Sequence, residues 1–170
     1  MLMRKILATI IVVMSAMFGL QANAQNVMQK GTNLMTVGLG ITNNVIPISV
    51  AFDHGMVDNL FDSPNAALSL GGMAGAEFGK NYNGFFIGPR VGLHYHFIPQ
   101  LDTYFALMLG LESGNAKYED ENIKVNSGWV STLGWGVHLG ARYFFTPAVG
   151  MFAEIGGGYS FANIGIAFKL

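Results

Sequence analysis

Residues 128–145 read GWVSTLGWGVHLGARYFF, and alternate positions belong to two unlike sets. Trp129, Ser131, Leu133, Trp135, Val137, Leu139, Ala141 and Tyr143 are mostly large and apolar. Val130, Thr132, Gly134, Gly136, His138, Gly140 and Arg142 are mostly tiny or polar. Successive side chains of a strand point to opposite faces. This stretch therefore meets an apolar medium on one side and a confined polar space on the other. A strand that is apolar outside and polar inside belongs to a barrel in lipid.

The same period of two recurs along the chain. It predicts strands over 35–42, 46–54, 68–78, 85–97, 103–112, 128–145, 151–159 and 164–170. Most of them come near the ~9–11 residues that a tilted strand needs to cross a bilayer. An even number of strands brings both chain ends to one side. An open edge in lipid would leave backbone groups without partners, so the sheet must close on itself. The expected fold is all-β: a closed eight-stranded antiparallel transmembrane up-and-down β-barrel. Pro89 marks a bulge or a weak point in its ladder. Residues 43–44, 98–102 and 146–150 read as turns. Residues 113–127 form the longest polar segment and the long loop, on the side away from the termini.

The first residues stand apart from this pattern. Arg4 and Lys5 precede an apolar run, and Ala22-Asn23-Ala24 is an A-x-A cleavage site. Residues 1–24 are expected to be a cleaved secretory signal peptide, with 25–170 as the barrel domain. The run is short for a membrane-spanning helix. The chain has no Cys, which excludes a disulfide framework and thiol-based metal or redox sites. The formal net charge is −1, and there is no basic stripe of the kind that binds nucleic acid.

The alternation assigns a polar lining to the barrel interior: Asp53, Glu77, Arg90, His94, His96, Glu112, His138, Arg142, Glu154 and Lys169. Tyr104, Met73, Met108, Phe86 and Phe152 share that face. If the turn at 146–150 is centred on Ala148, Arg142 faces Glu154. Such a pair can be bidentate and leaves neither charge alone in a narrow space, and Glu77, Asp53 and Arg90 extend it into a network.

Some of these residue types can carry chemistry. His94, His96 and His138 could ligate a metal, but no carboxylate lies at ligand spacing, and satisfied polar lining explains them. Glu119-Asp120-Glu121 lacks the glycine and spacing of a Ca²⁺ loop. The glycine pairs are not followed by a helix, which removes a phosphate loop. A nucleophile, a base and an orienting group are not seen together. No catalytic residue, metal site or cofactor is expected.

Several segments together resemble a known group. They are Ile46-Pro47-Ile48-Ser49, Asp58-Asn59-Leu60-Phe61, and Leu101-Asp102-Thr103-Tyr104 running into Leu107-Met108-Leu109-Gly110. Gly140-Ala141-Arg142-Tyr143-Phe144-Phe145 and Phe152-Ala153-Glu154-Ile155-Gly156 complete the set. The likeness is to the small outer-membrane β-barrels of Gram-negative bacteria, the OmpA/OmpX-type eight-stranded barrels often labelled porin-family. It implies residence in the cell outer membrane, contact with outer-membrane lipid, and insertion by the barrel-assembly machinery. Such chains usually end in an aromatic residue that this machinery reads. Here the last residue is Leu170, with Phe168 two positions before it.

The function expected is that of an integral outer-membrane barrel, plugged by its own side chains. Its role is structural, envelope-protective or surface-interacting, with any surface partner touching 113–127. The alternatives are a narrow porin-like channel for small solutes, a lipid-modifying outer-membrane enzyme, and a soluble periplasmic barrel that binds a ligand inside.

Overall fold

The computed structural model describes residues 26–42, 45–120, 123–126 and 128–170, with backbone only over 117–120 and 123–126. The expected leader over 1–24 and the expected turn at 43–44 lie outside the described residues. Among the described residues nine strands occur, in the order β1 (Asn33–Ile41), β2 (Val45–Asp58), β3 (Ala66–Gly79), β4 (Tyr82–Ile98), β5 (Leu101–Asp120), β6 (Ile123–Asn126), β7 (Val130–Phe144), β8 (Val149–Gly157) and β9 (Ala162–Lys169). Each long strand pairs antiparallel with the next, and β1 pairs with β9 from Leu34↔Lys169 to Ile41↔Ala162. Eight strands thus close a ring, with up-and-down topology. The ninth, β6, pairs only with the end of β5, from Lys117↔Asn126 to Asp120↔Ile123. It makes a hairpin that rises beyond the barrel, at the end opposite the termini.

The outer surface is apolar. Leu133, Trp135 and Leu139 are 67 %, 59 % and 59 % exposed, and Leu39, Ile48, Ile87, Leu107 and Ile164 are exposed likewise. In water each such side chain would forgo roughly 1.5–3 kcal/mol of burial. Aromatic rings mark both ends of this surface. Phe85 lies 5.9 Å from Trp129 at one end, and Tyr95–Phe97 and Tyr143–Phe145 pair at 4.9 and 5.4 Å at the other. The ten residue steps from Phe85 to Tyr95 within β4 span ~33 Å along the strand, or about 25 Å at a tilt near 40°. That is the height of the apolar band of a transmembrane barrel, with its aromatic girdles.

Several strands outrun the apolar alternation that announces them. A ladder continues into water on backbone hydrogen bonds alone, with no apolar face to signal it. Residues 113–116, expected in the loop, belong to the barrel sheet: Tyr82↔Ala116 on one side, Ser113↔Ser131 and Gly114↔Val130 on the other. The β4–β5 link is only Pro99-Gln100, so Asp102, expected in the turn, is a strand residue facing His96. Pro89 causes no bulge. The β4–β5 ladder has no partners at Gly88 and Pro89, yet the register is the same before and after them. The true irregularities fall between Gly55 and Val57 and between His96 and Ile98.

The β7–β8 hairpin corrects the expected ion pair. Its ladder runs Gly140↔Glu154, Arg142↔Phe152 and Phe144↔Gly150, so the turn is centred on Pro147 and Arg142 does not face Glu154. The cause is Thr146, whose Oγ1 accepts from the Val149 amide at 2.9 Å and pulls Val149 into the strand. Moving the centre by one residue moves the partner by two. The inward face is therefore unchanged while the pairing is new.

The end of the ring that carries the termini is closed by the chain itself. Val27 and Met28 are buried in a cluster with Leu34, Ala67, Phe144 and Ala167. Residues 29–32 are tied to β2 through Gly31 N to Gly55 O and Gly55 N to Thr32 O, both 2.8 Å. Gly55 is required here, because a Cβ would collide with the Gln29 carbonyl.

Candidate functional site in the barrel interior

Alternation aims one side chain in two at the axis. In so narrow a ring the inward residues of opposite strands touch. The centre is an ion network built from five strands. Asp53 (β2) contacts Arg90 (β4) at 3.3 Å and pairs with Arg142 (β7). Arg90 Nη2 donates to Glu154 (β8) at 2.5 Å. Arg142 Nη1 lies 3.6 Å from Asp102 (β5). These five residues are at most 3 % exposed. Charges this deep persist only when their partners are in place.

Tyr104 organises the middle. Its hydroxyl donates to Glu154 at 2.8 Å, and the guanidinium carbons of Arg142 and Arg90 stand 4.2 and 5.5 Å from its ring centre. The ring lies over Gly140, where any side chain would strike it. Tyr159 donates to the second Glu154 oxygen at 3.3 Å, and its ring packs on Phe86 and His138. Asn163 donates to Ser49 at 3.0 Å. Met73, Phe86, Met108 and Phe152 are all buried around these groups.

Towards the termini, a hydrogen-bonded chain crosses three adjacent strands. Ser69 Oγ lies 2.8 Å from His94 Nε2, and His94 Nδ1 lies 2.9 Å from Asp102 Oδ1. The sequence reading found no nucleophile, base and orienting acid together; the fold makes this one, because Asp102 is in β5. The order matches that of a hydrolytic triad, but the chain is sealed. Ser69 and Asp102 are 0 % exposed and His94 is 1 % exposed. On the Gly92 side even a methyl group would sit 2.6 Å from Ser69 Oγ and 2.5 Å from His94 Nε2. His96 Nε2 accepts from the Met28 amide at 3.0 Å, and Nδ1 meets the Asn65 carbonyl at 3.1 Å. An amide donor fixes that Nε2 as the unprotonated nitrogen.

The sequence-derived lining residues thus fall into four places. Asp53, Arg90, Arg142 and Glu154 meet in the central network. His94 and His96 converge on Asp102, with Lys169 half-buried at the terminal rim. His138 stands alone from the other two histidines and reaches the Ser160 carbonyl at 3.1 Å. Glu77 and Glu112 lie near the far end with Tyr82, apart from the network that Glu77 was expected to join. Among the described residues no group of three or more His, Asp or Glu side chains is placed to hold a metal ion. Sequence reasoning missed Asp102, Tyr159 and Asn163 as polar members of the site, while alternation does put Ser69 on the inward face without revealing its partner. For Asn163 the signal was present, as a polar residue in phase with its inward neighbours.

Comparison with solved structures bears on the fold. The N-terminal β-barrel domain of Pseudomonas aeruginosa OprF superposes with a TM-score of 0.59 at 15 % identity, covering 83 % of this chain and 98 % of that one. This is the eight-stranded transmembrane β-barrel fold. A barrel from the de novo design of transmembrane β-barrels matches the same eight-stranded transmembrane barrel, with a TM-score of 0.52 at 21 % identity over 84 % and 98 % of the two chains. No family model matches the sequence, and no curated protein does. At these identities the transmembrane barrel is shared as a fold and nothing more is carried over.

Proposed function

We propose that this protein is exported by residues 1–24 and resides in the outer membrane as a barrel closed to solutes, with a structural, envelope-protective or surface-interacting role. The observation that carries this reading is the filled lumen. Ion pairs, aromatic rings and the N-terminal segment occupy the cross-section from the termini to the level of Phe86. The lipid-facing band of about 25 Å supports membrane residence, and the resemblance to outer-membrane barrels supports which membrane. The only long projection on the far side among the described residues is the β5–β6 hairpin, and a surface partner would meet it there. The sealed Ser69–His94–Asp102 chain acts as a structural tie between β3, β4 and β5.

The test is planar-bilayer conductance on refolded protein, run beside a heat-modifiability gel. The expected outcome is a heat-modifiable band with no unitary conductance. Reproducible single-channel steps that vanish on denaturation would establish the porin-like alternative.

A further inference from the structure

Among the described side chains, two carboxylates at the far end of the lumen have no cation beside them. Glu77 (β3) points inward and is 5 % exposed, and its Oε2 has no hydrogen-bond partner. Glu112 (β5) points into the same space, half-buried. The hydroxyl of Tyr82 (β4) stands between them, 3.4 Å from Glu112 Oε1 and within reach of Glu77. One O–H can donate once, so it cannot satisfy two carboxylates. Both Arg side chains that line the lumen are used in the central network. Among the residues whose side chains are described, no cation pairs with either Glu.

The local sequence keeps this space open. Glu77 faces Gly84 across β3–β4, and Gly84 faces Gly114 across β4–β5. Tyr82 folds over both glycines; a Cβ at either would strike its hydroxyl end. Gly134 on β7 flanks Glu112, whose Oε2 is 3.2 Å from the place a Cβ would take. Three glycines thus leave room for the phenol and the two acids, at a level where the lumen is no longer packed by Phe86.

We propose that Glu77, Glu112 and Tyr82 bind a hard divalent cation at the far mouth of the barrel. Hard cations take oxygen ligands, and a site of one or two carboxylates completed by water is ordinary for them. A cation supplies what Glu77 Oε2 lacks, since an unpaired buried carboxylate is costly. The inference does not depend on the closed-barrel reading, because it concerns only the mouth. With two protein carboxylates and an open side, the expected affinity for Ca²⁺ is of the order of 10⁻⁴–10⁻³ M, as in extracellular modules.

The probe is Tb³⁺ as a Ca²⁺ stand-in, with refolded protein in detergent. Saturable luminescence excited through Tyr82 and competed by Ca²⁺ is expected. Glu77→Gln and Glu112→Gln should each weaken binding by about tenfold through loss of a charged ligand. Tyr82→Phe removes the sensitising phenol, so it is read by the Ca²⁺-dependent shift in unfolding temperature and should weaken binding less, while Asp62→Asn, in the turn at the other end, should leave it unchanged. Heat modifiability of each variant checks the fold. A Ca²⁺-dependent rise in the unfolding temperature of the unaltered protein, absent in Glu112→Gln, gives a second readout. No saturable binding, or binding in Glu77→Gln and Glu112→Gln as tight as in the unaltered protein, overturns the proposal. The first of these results would leave a shared proton as the occupant.

Discussion

The two ends of this lumen solve the problem of buried charge in different ways. Near the termini and at the centre, the buried carboxylates lie against arginines: Asp53 beside both, Glu154 beside Arg90, and Asp102 beside Arg142 with His94 hydrogen-bonded to it. At the far end Glu77 and Glu112 face each other through a single phenol. The first region is closed, and each of its carboxylates lies against a guanidinium. The second is open, built on glycine, and carries uncompensated negative charge. In the same barrel, one set of acids holds the fold together and another opposes it.

The largest expected effect tests the first half of that contrast. Arg90→Met and Arg142→Met should each destabilise the barrel by about 3–5 kcal/mol in urea unfolding, since each leaves a buried carboxylate unpaired. Glu112→Gln, in metal-free buffer, should leave stability unchanged or raise it, because it removes a like charge. Equal losses at the two ends would erase the distinction.

A double-mutant cycle sharpens the pairing. Adding Glu154→Gln to Arg90→Met should recover about 1–3 kcal/mol, and adding it to Arg142→Met should recover less, because Arg142 bonds Asp53 instead. The reverse order would restore the Arg142–Glu154 register that the β7–β8 turn excludes. A smaller effect belongs to the terminal seal. His96→Ala removes the acceptor of the Met28 amide and should cost about 1–3 kcal/mol. Limited proteolysis followed by mass spectrometry should then show cleavage within 26–32 while the barrel stays heat-modifiable. The smallest effect is expected from deleting 117–124. That ladder pairs only with itself, so barrel stability should change by less than about 0.5 kcal/mol.

What could be read in the sequence, and what could not, follows from one geometric fact. A period of two sorts residues between two faces without knowledge of partners. Strand number, closure and the apolar exterior therefore follow from alternation alone. Pairing requires register, and register depends on turns. Thr146 shifted the β7–β8 hairpin through a single side-chain hydrogen bond. The two-residue Pro99-Gln100 link turned Asp102 from a turn residue into the strand residue that holds His94. Contacts across the lumen are further still from the sequence. Nothing near Asp53 announces Arg142, because the two meet only through the curvature of the whole ring. The N-terminal seal carries no periodicity at all and is visible only as packing.

The cross-lumen pairs also carry a consequence for how the molecule is made. Asp53–Arg142 joins residues 89 apart in sequence, and Arg90–Glu154 joins residues 64 apart. The Ser69–His94–Asp102 chain spans only neighbouring hairpins, 25 and 8 residues apart. The local tie can form as soon as β3, β4 and β5 have paired. The long-range ion pairs can form only when β7 and β8 have come round to face β2 and β4, which is nearly the moment at which β9 meets β1. Until then two arginines and three carboxylates lack their final partners, and a chain that closes in a slipped register strands them. The network therefore acts as a proofreading step in assembly: it rewards the one closure in which all strands are in place, and leaves every other closure with unpaired charge in its middle.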